Sequence, residues 1–312
     1  MSALNYTKNN PNPNPTHLIL RLDDDWDDDP HYSLDLKQIN TRTTPKLLKN
    51  LTIDEIHGSC NGLILANDSD NNNLCLINPT TRKILKIPDS VGESSDNEKY
   101  VVGYDSSTDD YKVIYISYLG IPDFVPDSAV ARVYSLRNNS WNILPNFPYQ
   151  HDDYYLPWVL LNDNLHWVVT SRHSTKMAIA VFSLADEEFH EIEFPNSVDH
   201  DRATCSGLCV LGGKLAAFID EFEDGLWVMD QYGVPKSWTK LCIIEDNVYP
   251  NFEFFAQLST RDILLGNNHA NEISIYNMDE KRFTRVTVEG CQEGFTVYGT
   301  YVESLESFER FR

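Results

Sequence analysis

The chain is short of positive charge: its 312 residues carry 25 Lys and Arg against 47 Asp and Glu, for a formal net charge of −22. Nucleic acid and anionic membranes are bound through a cationic footprint, so neither is an expected partner. No apolar run approaches the roughly 20 residues of a membrane span. No secretory leader is recognisable at the start, so a cytoplasmic or nuclear location is expected. There is no Gly-x-Ser-x-Gly, no phosphate-cradling glycine loop and no His-Glu-x-x-His, so the usual marks of hydrolase, nucleotide and zinc-peptidase chemistry are missing. The six cysteines, Cys60, Cys75, Cys205, Cys209, Cys242 and Cys291, are scattered, and they read as reduced structural thiols. Cys205 and Cys209 lack the second pair of a zinc site. The acidic run Asp23–Asp29 lacks the glycine and closing glutamate of an EF-hand loop. No cofactor, no metal and no catalytic residue is therefore expected.

What the chain has is a repeat. Asn73-Leu74-Cys75-Leu76-Ile77-Asn78-Pro79-Thr80-Thr81-Arg82-Lys83-Ile84-Leu85-Lys86-Ile87-Pro88 reads as a strand, a tight polar turn and a second strand ended by proline. The same unit recurs around Tyr134, Phe182, Val228 and Tyr276, with a weaker copy at Tyr32, at intervals of roughly 45–57 residues. Repeats of this period, each made of short strands, predict an all-β, six-bladed β-propeller of four-stranded blades. Call the strands of a blade A, B, C and D. The first blade lacks strand A, and the segment from Phe295 to Val302 is a strand without a blade. It is expected to pair beside Leu18–Leu22, so that the ring closes with strands from both ends and leaves no long free edge. Residues 1–15 are Asn/Pro-rich and expected to be disordered, 16–305 form the propeller, and 306–312 are a C-terminal tail. The stretch from Lys37 to about Leu51 reads as a polar connection.

Alternating strand direction puts the short A–B and C–D turns at one end of every blade and the longer B–C and D–A connections at the other. Long loops on a rigid scaffold are where binding concentrates. These connections also hold much of the acid, whereas Arg82, Lys83, Arg137, Lys236, Lys281 and Arg282 lie in C–D turns. Trp141, Phe189, Trp238 and Phe283 recur at one point of the repeat and read as blade packing. Aromatics in the long connections do not recur, among them Tyr149, and an aromatic inside a polar rim is the usual interface anchor. The expected partner-binding residues are Asp24, Asp25, Trp26, Asp27, Asp28, Tyr118, Phe124, Tyr154, Tyr155, Phe222, Tyr249 and Phe252.

Several motifs, in order, resemble the F-box-associated interaction domain of plant F-box proteins, the group that includes the S-locus F-box proteins. They are His57-Gly58-Ser59-Cys60-Asn61-Gly62-Leu63, Leu76-Ile77-Asn78-Pro79-Thr80-Thr81-Arg82, Val102-Gly103-Tyr104-Asp105, Asp110-Tyr111-Lys112-Val113, Trp227-Val228-Met229-Asp230-Gln231-Tyr232-Gly233-Val234 and Ser237-Trp238-Thr239-Lys240. The resemblance implies a non-catalytic, substrate-recognition module of an SCF ubiquitin ligase, which binds a protein partner. The acidic long-loop face makes a basic partner the expected one. Nothing in residues 1–50 resembles an F-box, so a Skp adaptor is expected only if a longer form carries one. The competing readings are a sugar-binding or glycoside-acting propeller, since carboxylates are abundant, and a truncated fragment or decoy outside the ligase.

Overall fold

The computed structural model describes residues 15–22, 30–48, 53–69, 72–90, 98–119, 128–145, 147–149, 158–171, 176–195, 204–220, 225–243, 253–267, 272–291 and 294–311. In chain order the strands are β1 (His17–Leu22), β2 (His31–Asp35), β3 (Arg42–Thr43), β4 (Lys46–Leu47), β5 (Ile53–Cys60), β6 (Leu63–Asp68), β7 (Leu74–Asn78) and β8 (Lys83–Lys86). They continue as β9 (Glu98–Asp105), β10 (Asp110–Leu119), β11 (Ser128–Ser135), β12 (Ser140–Leu144), β13 (Val159–Leu161), β14 (Asn164–Thr170), β15 (Met177–Ser183) and β16 (Phe189–Glu193). The last are β17 (Thr204–Leu211), β18 (Lys214–Asp220), β19 (Gly225–Met229), β20 (Trp238–Ile243), β21 (Glu253–Gln257), β22 (Asp262–Asn267), β23 (Glu272–Asn277), β24 (Arg282–Val288) and β25 (Phe295–Tyr301). Two 3-10 turns, Pro235–Ser237 and Phe308–Phe311, are the helical elements among the described residues. The strands form six sheets, each with four antiparallel strands in the A–B–C–D order, which are the blades of a six-bladed β-propeller.

The blades fall into two compact units. In the first, β25, β1, β2 and β4 make one sheet, β5 to β8 a second, and β21 to β24 a third. The C-terminal strand β25 does pair with β1, from His17 opposite Tyr301 to Leu22 opposite Phe295, and so completes the first blade. The stretch read as a polar connection after β2 does more than connect. Its β4 is the outer strand of the first blade, and β3 adds in parallel to β24 as a fifth strand. Two-residue strands carry too little pattern to stand out in a sequence. In the second unit the sheets are β9 to β12, β13 to β16 and β17 to β20.

The inner strands read as continuous apolar runs because both of their faces are covered. In β15, Ala178, Ala180 and Phe182 join the cluster containing Ile114, Val133 and Trp167. Its alternate residues Ile179 and Val181 join the cluster containing Phe194, Leu215 and Met229. In β1, Leu18 and Leu20 pack with Leu34, Leu264 and Val297, while Ile19 packs with Ile64, Ile77 and Tyr301. The outer strands are wetter: in β8 only Leu85 is buried, and in β12 only Leu144.

Across four of the C–D hairpins, a buried residue of strand C faces an aromatic of strand D. The pairs are Tyr134 with Trp141, Phe182 with Phe189, Met229 with Trp238, and Tyr276 with Phe283. The ring centroids of the aromatic pairs lie 5.3, 4.8 and 4.7 Å apart. Cross-strand aromatic pairs stabilise antiparallel sheets by up to about 1 kcal/mol each. This recurring contact is the packing role that the sequence reading assigns to Trp141, Phe189, Trp238 and Phe283.

Candidate recognition face

Tight A–B turns leave one end of each blade compact. β5 and β6 are joined by Asn61-Gly62, with φ of 50° and 86°; β13 and β14 by Asn162-Asp163, with 53° and 58°; β17 and β18 by Gly212-Gly213, with 58° and 75°. Paired positive φ values are those of two-residue hairpin turns, which need Asn, Asp or Gly. The cations Arg82, Lys83, Arg137, Lys236, Lys281 and Arg282 are all exposed at this end.

The family-like motifs also land here, and they are fasteners. Asn78 is fully buried, and its Nδ2 donates to the carbonyls of Ser304 (3.0 Å) and Glu306 (2.9 Å). Its Oδ1 accepts from the backbone N–H groups of Thr80 and Thr81. One side chain thus shapes its own turn and holds the segment after β25. In the second unit, Lys112 donates to the Leu184 carbonyl and pairs with Glu187 (2.9 Å) and buried Asp105 (3.3 Å). Burial works to raise the Asp105 pKa, but hydrogen bonds from Ser107 and Thr108 and the Lys112 charge hold it below the ordinary value. His166, fully buried, lies 3.1 Å from the Val159 carbonyl through Nδ1 and 2.7 Å from the Tyr232 hydroxyl through Nε2. A carbonyl only accepts, so Nδ1 carries the proton and Nε2 accepts from Tyr232. Burial lowers the His166 pKa to about 4.

The opposite end, where the B–C and D–A connections leave the sheets, is the expected recognition face. Asp24, Asp25, Trp26, Asp27, Asp28, Phe124, Tyr154, Tyr155, Phe222, Tyr249 and Phe252 lie outside the described residues. Tyr118 falls in β10, opposite Ala129, and not in a loop. The β10–β11 pairing runs on through Ser117, Tyr118 and Leu119, opposite Val130, Ala129 and Ser128. Tyr149 is a correction of the loop-anchor reading. It is buried against Phe147, Trp167 and Phe189, and its hydroxyl donates to the His190 carbonyl, so it serves the core.

Described side chains at this end include Asp68, which accepts from Asn73 Nδ2 at 2.8 Å, and exposed Asp89. Glu98 accepts the hydroxyls of Tyr115 (2.8 Å) and Tyr100 (3.0 Å) through its two oxygens. Burial, then the Glu98 charge, pushes the Tyr100 hydroxyl's pKa up. Cys209 in β17 is held as a thiol, its pKa pushed up by burial and by Cys205. Among the described residues no group of three His, Cys, Asp or Glu is placed to hold a metal ion, and no helix is long and apolar enough to cross a membrane.

Six four-stranded blades, fastened by buried polar side chains, define a β-propeller. The chain matches the model of the F-box associated beta propeller domain over residues 18–308, and it belongs to that family. Its relatives are plant F-box proteins. F-box protein CPR1 of Arabidopsis thaliana is 27% identical over 85% of this chain and 71% of that protein. F-box protein At4g22390 of the same plant is 29% identical over 82% and 70%. Among solved structures, a chain of a nidogen/laminin complex aligns with a TM-score of 0.50 at 10% identity, over 92% of this chain and 99% of that one, a likeness of fold alone.

Proposed function

We propose that this chain is the substrate-recognition propeller of an F-box-type SCF ubiquitin ligase component, and that it takes a protein partner with a basic surface at the long-connection end. The observation that carries the reading is the family match across 18–308, with F-box proteins as relatives. The net charge of −22 supports a basic partner, because charge complementarity accelerates encounter and excludes wrong partners. Exposed cations at the short-turn end favour the other end as the docking side. The propeller does no chemistry itself. It presents the partner, and the Skp adaptor joins through an F-box in a form that carries one. The cytoplasm or nucleus is the matching compartment.

Charge reversal of Asp24, Asp25, Asp27 and Asp28 tests the docking face. Capture of the partner is expected to fall, and its dependence on salt to flatten, because fewer opposed charges remain to be screened. Capture and salt dependence both unchanged would remove the acidic face from the account.

A further inference from the structure

At the long-connection end of the first blade, two buried polar atoms have no hydrogen-bond partner: Nε of Arg21 and Nε2 of His31. The residues face each other across β1 and β2, and His31 is 1% exposed. The ring of Tyr298 lies against both, 5.2 Å from the Arg21 guanidinium carbon and 5.3 Å from the imidazole centroid. Tyr298 reaches this place through a β-bulge. The register of β1 against β25 jumps from Ile19 opposite Gly299 to Leu20 opposite Val297, which leaves Tyr298 as the extra residue. Bulges re-aim a side chain. The inner strands β5, β17 and β21 bulge as well, and the extra residue of β21, Phe255, goes into an apolar cluster instead.

A buried polar group left unpaired costs on the order of 1–3 kcal/mol, and native proteins rarely keep one without a use. Burial, then the neighbouring Arg21 charge, lowers the His31 pKa to about 4, so the imidazole is neutral and has one N–H to give. Asp54 acts on His31 from a distance, and among the described residues no carboxylate forms an ion pair with Arg21. The arrangement is therefore a fixed cation beside a neutral ring, with a donor position on each that has no hydrogen-bond partner.

We propose that Arg21 and His31 form a carboxylate-binding subsite, with Arg21 Nε–H and His31 Nε2–H as the donors and Tyr298 as the supporting ring. The inference rests on the recognition reading above: the carboxylate is an acidic side chain or the C-terminal end of the protein partner. Two donors side by side match the two oxygens of a carboxylate. A fixed positive point at this place would set the register of a basic partner that carries one acid, which general attraction cannot do.

The test uses the whole chain with 15N-labelled histidine, titrated at neutral pH and constant ionic strength with acetyl-aspartyl methylamide (a side-chain carboxylate) and with N-acetylglycine (a terminal one). His31, assigned with His31→Gln, is expected to show a saturable Nε2 shift with at least one probe. Binding should weaken about tenfold in Arg21→Gln, and also in Arg21→Lys, which keeps the charge but lacks the Nε–H. The tighter probe identifies the source of the carboxylate. The proposal is overturned if neither probe gives a saturable shift, if sodium chloride gives the same shift, if inorganic phosphate binds more tightly than both probes, or if folded Arg21→Gln and Arg21→Lys respond as the parent does. No partner protein enters the titration, so its failure leaves the recognition reading standing.

Discussion

A few buried polar side chains connect distant parts of the chain, and their removal has definite consequences. Asn78 makes four hydrogen bonds, and two of them reach carbonyls beyond residue 300. Asn78→Ala strands those groups and is expected to cost about 2–4 kcal/mol, read as a lower urea midpoint at unchanged slope; a loss under about 0.5 kcal/mol would contradict the latch. Lys112→Met leaves Asp105 and Glu187 without their cation. It is expected to cost about 3 kcal/mol, with Asp105 moving back up towards its ordinary pKa by carboxylate NMR. His166 sets a pH dependence. Its folded pKa of about 4 lies below the ordinary 6.5, so the unfolded chain binds the extra proton. Stability is then full above about pH 6.5 and falls as pH drops towards 4, by on the order of 3 kcal/mol for this residue. His31 contributes in the same direction. Unfolding across that interval should show a shallower slope in His166→Gln; an unchanged slope would contradict the assignment. The sequence displays Asn78 and Lys112 inside family-like motifs and His166 inside an apolar run, yet not their roles. Their partners lie up to 228 residues away, and only the folded chain brings them together.

At the scale of elements, the blade repeat was legible because physics repeats with it. Strand C is largely buried and a tight turn leads from it into strand D, so each copy carries an apolar run and a polar turn, and four of the six add an aromatic at one point of strand D. The closing pairing of β25 with β1 was legible as well, from a strand left over at one end and a strand missing at the other. The strands β3 and β4 were not, because two residues have no periodicity. Tyr118, read as a residue of a long connection, lies in β10, since Ser117 and Tyr118 suit a strand as well as a loop. The C-terminal segment offers a sharp test. A Cβ on Gly62 would lie 2.3 Å from Ser304 Cβ and 2.6 Å from the Val302 carbonyl, and φ there is +86°. Gly62→Ala is therefore expected to destabilise by more than about 2 kcal/mol, because crowding adds to backbone strain. Gly212→Ala, at a turn with open space around it, should cost only the strain. Equal losses at the two positions would show that the segment does not press on Gly62.

For the whole molecule, charge and family membership point one way. The chain has a net charge of −22 and belongs to the F-box associated propeller family, and the proposed role as a recognition module for a basic protein rests on those two facts. The fold was legible from period and pattern; the candidate recognition residues were read from the connections, where no periodicity constrains them. The most direct measurement is paired affinity capture from plant tissue, using the intact chain and a copy carrying D24N, D25N, D27N and D28N, with bound proteins identified by mass spectrometry over a salt series. The account predicts a basic protein retained by the intact chain, lost from the altered one, and released as salt rises. The same proteins on both baits, or an acidic protein held without regard to salt, would contradict it.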